Sequence, residues 1–135
     1  MRSETEALVG RYYDAFNAQD AAGMLACLTD DIAHDVNQGE RRQGKVLFAE
    51  FLAHMKRCYR EELRDRVVMS NADGSRAAAE FVVHGTYLQA DEGLPPARGQ
   101  KYVLPAAATF DVKNGKISRV TTHYNLKNWM AQVAG

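Results

Sequence analysis

At about residue 62 the spacing of the apolar residues in this chain changes from one period to another. Upstream the period is helical. "SETEALVGRYYDAF" places Leu8, Tyr12 and Phe16 on one stripe, and Ser3 followed three residues later by Glu6 reads as a capping box. "DAAGMLACL" predicts one or two further turns behind that helix, with Asp20 as its cap. "IAHDVNQ" reads as a strand. After Gly44, the residues Leu47, Phe48, Phe51, Leu52, Met55 and Tyr59 recur at three- and four-residue spacing and predict a third, longer helix.

Downstream the period is that of strands. "LRDRVVMS" ends at the turn signal "NADGS", "RAAAEFVVHGTYLQ" at the loop "ADEGLPPARG", and "QKYVLPAAATFDV" at the hairpin dipeptide "NG", after which "KISRVTTHYNL" completes a sheet. Helices followed by four long strands predict an α+β domain in which an antiparallel sheet curls around the helices. A sheet of that kind has a concave face. Where the third helix leaves it uncovered, a pocket for a small ligand is expected. With 135 residues, 46% of them hydrophobic, residues 1–135 are expected to form one domain.

Charge narrows the function. Seventeen Lys plus Arg balance seventeen Asp plus Glu, so no positive field is present to attract nucleic acid or anionic lipid, and neither is an expected partner. "MRSETEALVG" carries acids and lacks the apolar run of a signal peptide or a membrane span, which predicts a cytoplasmic protein. Cys27 and Cys58 fall in predicted helices and read as buried free thiols. His34, His54, His84 and His123 show no ligand spacing on a helix and no paired cysteine, so neither a metal nor a cofactor is expected.

The order helix, helix, strand, helix, four strands resembles the nuclear transport factor 2-like superfamily, a cone-shaped fold with a strongly curved sheet. "GRYYDAFNAQDAAGMLACLTDDIAHDVNQGERRQGKVLFAEFL" is similar in layout to the N-terminal half of ketosteroid isomerases. "FVVHGTYLQADEGLPPARGQKYVLPAAATFDVKNGKISRVTTHYNLKNWMAQV" resembles the C-terminal half of SnoaL-like polyketide cyclases, including the "F-x-V-x-x-G-K-I" turn and the closing "H-Y-N-L". The resemblance places Asp35 at the isomerase's carboxylate base and Tyr12 at a hydroxyl of its oxyanion hole or of the network supporting it. It also implies departures. The second oxyanion donor falls on Ala106, supporting tyrosines fall on Leu28 and Leu52, and the cyclase "Y-D" step reads Tyr124-Asn125.

Placing Asp35 inward has consequences for its neighbours, because strand residues alternate between faces. Ala33 and Asn37 would share its side, and His34 and Val36 would point away. The same alignment puts Glu80, Val82, His84 and Thr86 on one face of the second long strand, and Val120, Thr122 and Tyr124 on one face of the last. If those faces are concave, Asp35, Glu80, His84, Tyr12 and Tyr124 converge on a cavity also lined by Asn37, Leu52, Ala106 and Thr122. A carboxylate there would have its pKa raised toward neutrality and could move a proton beside a carbonyl. A donor such as His84 or Tyr124 would stabilise the resulting oxyanion by about 3 kcal/mol.

Each of these residues also has a plainer role open to it. Asp35 has Arg41 and Arg42 nearby as partners, His84 suits a half-buried strand position, and Tyr12 and Tyr124 suit a core. His34 and His123 are expected to face outward or into an interface, His54 to lie on the polar side of its helix, and Gly85 to mark a bulge or a close backbone approach. Trp129, in "NLKNWMAQV", suits packing, an interface, or a tail over the pocket mouth. The other sheet face, with Phe81, Val83, Val103, Ala107 and His123, is apolar enough to predict a two-fold homodimer, as the resemblance also implies. Three functions follow: an isomerase- or cyclase-type enzyme acting on a small apolar carbonyl compound, a binder of a small hydrophobic ligand, or a dimerisation domain.

Overall fold

The computed structural model describes residues 1–134 as an α+β fold in which helices pack on one face of a curved, unclosed sheet. Helix α1 (Arg2–Asn17) and the short α2 (Ala21–Ala26) lead into strand β1 (Leu28–Val36) and the two-residue β2 (Arg42–Gln43). Helix α3 (Lys45–Cys58) runs directly into β3 (Tyr59–Ser70), followed by β4 (Arg76–Tyr87), β5 (Lys101–Lys113), β6 (Lys116–Tyr124) and α4 (Leu126–Ala134). No helix among the described residues is long and apolar enough to cross a membrane.

The six strands form one sheet in the order β2-β1-β6-β5-β4-β3, antiparallel except where β1 runs parallel to β6. The turn signals act as their chemistry requires. Asn114 and Gly115 both have positive φ, 52° and 74°, as a two-residue hairpin of matching twist demands. Asp20 caps α2 by accepting from the Gly23 N–H at 2.9 Å. Two local details differ from the sequence reading. Helix α1 begins at Arg2, with the Met1 carbonyl accepting from Thr5 N, so Ser3 lies inside the first turn and its capping box does not form. The segment after Asn125 is a fourth helix, with Leu126, Trp129, Met130 and Val133 at helical spacing.

The core fills the space between α1, α3 and the inner face of the sheet. Tyr87, Phe48, Phe110, Leu28, Ile32 and Ile117 are its largest fully buried side chains. On β4 the inward set is Ala77, Ala79, Phe81, Val83 and Tyr87, not the set containing Glu80 and His84. The physical reason is that an alternating strand turns its more apolar set to the core, and Phe81 packs there against Tyr13 with ring centroids 5.1 Å apart. Phe81 and Val83 are therefore absent from the outer face, which keeps Val103, Ala107 and His123 and adds exposed Val67 and Met69.

Candidate functional site

A cavity of about 640 Å³ opens between α3, α4 and the inner face of the sheet, within the range of small-molecule sites. Its wall is mostly apolar, with Phe51, Leu52, Phe81, Val83, Leu104 and Ala106 prominent. Tyr12, Thr122 and Tyr124 also line it, so five of the residues expected in a pocket, Tyr12, Leu52, Ala106, Thr122 and Tyr124, meet there. Burial holds the phenol of Tyr12 well above the ordinary tyrosine range, so it keeps its proton.

Asp35 does not join them. The parallel register pairs His34 with Val120 and Asp35 with Thr121, which turns the imidazole inward and the carboxylate outward. Asp35 accepts two hydrogen bonds of 2.9 Å from Arg41 and one of 2.7 Å from the Thr121 hydroxyl. The Arg41 hydrogen bonds outweigh the opposing effect of burial and, with Thr121, hold the carboxyl at about 2. An acid that strong is ionised and a poor base at neutral pH. Glu80 is exposed on the outer face, and His84 lies there opposite Glu62 and Val103. Asn37, at a left-handed turn with φ 50°, bonds the Tyr124 N–H through its side-chain oxygen. Asn125, at the step where the resemblance implies an acid in cyclases, caps α4 by accepting from Asn128 N at 3.0 Å.

The inward place on β1 belongs to His34, which is 4% exposed and packs its ring 4.4 Å from Phe48 and 4.6 Å from Phe51. Burial lowers its pKa to about 4, assisted by the charge of Arg42 and opposed by Asp35, so the imidazole is neutral at pH 7. Nδ1 is buried without a hydrogen-bond partner. A buried N–H left unpaired is more costly than an unpaired lone pair, so the proton is favoured on Nε2, and His34 presents a neutral donor.

Two carboxylates complete the polar lining. Glu61 lies on β3 in the same row as Gly85 and Tyr102, and the Tyr102 hydroxyl donates to its Oε2. Burial raises the Glu61 pKa, and the Tyr102 hydrogen bond offsets only part of that. Asp91, in the loop after β4, accepts from the Tyr59 hydroxyl at 2.6 Å and pairs with His54 Nε2 at 3.0 Å. Burial alone would raise Asp91, but the hydrogen bonds from Tyr59 and His54 overcome it and hold the group below the ordinary range. His54 is thus turned toward the cavity rather than to a solvated helix face. Trp129 of α4 forms part of the wall, edge-on to Tyr59, Tyr87 and Tyr102.

The sequence carried faint signals of the residues it did not single out. In "YREEL" Glu61 alternates with Tyr59 and Leu63, an acid in an otherwise apolar set. His54 and Cys58 are four residues apart on a helix, a spacing that brings side chains together.

A curved sheet wrapped around helices, with a cavity opening beside the third helix, defines a nuclear transport factor 2-like domain. The family model for the SnoaL-like domain matches residues 9–120, and the chain belongs to that family. Among curated proteins none matches the sequence. A structure described as a "putative polyketide cyclase" from Pseudomonas putida KT2440 is 61% identical over 96% of this chain and 97% of its own, with a TM-score of 0.95. Similarly described structures from Silicibacter sp. TM1040 and Xanthomonas campestris are 56% and 55% identical, each over 97% of this chain and 96% and 97% of their own, with TM-scores of 0.95 and 0.94. A structure described as an LEH-like epoxide hydrolase from M. tuberculosis shares the fold alone, at 16% identity over 98% of this chain and 91% of its own with a TM-score of 0.75.

Proposed function

We propose that the cavity binds a small, largely apolar carbonyl compound and that the protein moves a proton at a carbon beside the carbonyl. Glu61 is the group that takes the proton and returns it, in place of Asp35. His34 donates from Nε2 to the carbonyl oxygen as negative charge builds there, the role a neutral imidazole can fill without giving up its proton. The observation carrying this reading is that a carboxyl of raised pKa and a buried neutral imidazole line one apolar cavity. The polyketide cyclase descriptions of the similar structures support a carbonyl-bearing substrate class.

The reading is tested by incubating the protein with a panel of cyclic ketones in D2O and following deuterium incorporation beside the carbonyl by NMR. Glu61→Gln should lose about 100-fold or more of the exchange rate, as loss of a general base does. Exchange unchanged in Glu61→Gln would overturn it. A second reading, binding without chemistry, is favoured by Leu52 and Ala106, which put hydrocarbon where isomerases keep donors. It predicts quenching of the Trp129 fluorescence by the same ketones with no exchange. The reading includes a two-fold dimer through the outer face, where Val67, Met69 and Val103 are exposed, and sedimentation of the purified protein checks it.

A further inference from the structure

His54 and Cys58 lie one turn apart on α3, and the loop after β4 brings Asp91 to them, so that one ligand atom from each of the three lies within 4.8 Å of the others. We infer that these residues form a binding site for a divalent transition metal of the zinc class. A thiolate, an imidazole and a carboxylate are the donor types such ions take, and the sulfur selects against magnesium and calcium. Bonds of about 2.0–2.3 Å at tetrahedral angles set donor atoms about 3.3–3.7 Å apart. The existing Nε2 to Oδ1 separation of 3.0 Å and the 4.8 Å limit bracket that spacing, so small side-chain rotations would close the site.

The surroundings hold the donors in position. The Tyr59 hydroxyl takes Asp91 Oδ2, leaving Oδ1 directed at His54, as an outer partner orients a metal-bound carboxylate. The Asp91 N–H donates to the Tyr87 hydroxyl at 2.9 Å, and the N–H groups of Leu88 and Gln89 donate to the Cys58 carbonyl. The loop carrying one ligand is therefore tied to the helix end carrying the others. His54 and Asp91 line the cavity, so the fourth coordination position would open into it. Binding would release the Cys58 thiol proton to solvent, and the proton that His54 Nε2 gives to Asp91 would pass to His54 Nδ1 through solvent, freeing Nε2 and Oδ1 to bond the ion. The site uses neither Glu61 nor His34, so its test stands or falls separately from the deuterium exchange.

The test is titration of the full-length, chelator-treated, reduced protein with Co2+ under anaerobic conditions. One equivalent should bind with an intense near-ultraviolet thiolate-to-cobalt charge-transfer band, and one equivalent of Zn2+ should remove it. Cys58→Ser should lose the band and Cys27→Ser should keep it. His54 is half-exposed, so His54→Gln leaves the core intact and carries the test should Cys58→Ser fail to fold. It should weaken Co2+ binding by more than the roughly 10–100-fold that loss of an outer partner costs. The inference is overturned if the wild type binds no Co2+ saturably, if the band persists in Cys58→Ser, or if His54→Gln binds as the wild type does.

Discussion

Tyr102 reaches over Gly85 to donate its hydroxyl to Glu61, two strands away in the same row of the sheet. The contact exists because residue 85 has no side chain. A Cβ there would lie 2.2 Å from the Tyr102 ring, far inside van der Waals contact. The close approach anticipated at this glycine is thus what connects β5 to the cavity carboxyl. Gly85→Ala should displace the ring, destabilise the protein by about 1–3 kcal/mol as overpacking does, and remove the hydrogen bond to Glu61. Urea unfolding measures the first effect.

Tyr102→Phe separates the hydrogen bond from the packing. The hydroxyl favours ionised Glu61, so its removal should raise the Glu61 pKa further and move the acid limb of any pH–rate profile to higher pH. An unmoved acid limb would show that another group controls it.

His34 makes stability depend on pH in a defined direction. Its folded pKa, about 4, lies below the unfolded value of about 6.5, so below pH 6.5 the unfolded chain binds the proton first. The contribution is complete above pH 6.5 and is lost as pH falls toward 4, by up to about 3 kcal/mol. His34→Phe, which keeps a ring against Phe48 and Phe51, should flatten that dependence. Chemical denaturation at pH 7.5 and pH 4.5, wild type against variant, gives the comparison.

Asp35 should matter to stability and not to the cavity. Its folded pKa of about 2 lies below the unfolded value of about 3.9, so the contribution is present above pH 4 and is lost as pH falls toward 2. Because the Arg41 side chain is 54% exposed, screening reduces the value of the pair, and Asp35→Asn should cost about 1 kcal/mol at neutral pH. Ketone binding followed by Trp129 fluorescence should be unchanged. Loss of binding in a folded Asp35→Asn protein would return this residue to the site.

Element order and turns were readable because helix and strand periods differ and because "NADGS" and "NG" dictate reversals. The faces of two strands were harder. In "IAHDV" the set Ile32, His34 and Val36 is the more apolar one, yet the family resemblance argued for Asp35 inward. Packing of His34 between Phe48 and Phe51, and capture of Asp35 by Arg41, decide the matter. On β4 a single-residue difference in phase moved both Glu80 and His84 out of the site. Glu61 and Asp91 depend on contacts with Tyr102 and Tyr59, 41 and 32 residues away in the chain, which no local pattern reports. The helix of Trp129 was within reach of the sequence, since Leu126, Trp129, Met130 and Val133 follow a helical period.

Which carboxyl the fold has tuned for proton exchange can be measured without a substrate. Side-chain carboxyl carbons of uniformly 13C-labelled protein, titrated by NMR from pH 2 to 8, report Asp35 and Glu61 individually. Glu61 should titrate above the ordinary glutamate value of about 4.3, and Asp35 should stay ionised until the pH approaches 2. An ordinary Glu61 together with an Asp35 raised toward neutrality would contradict the account and restore Asp35 as the base.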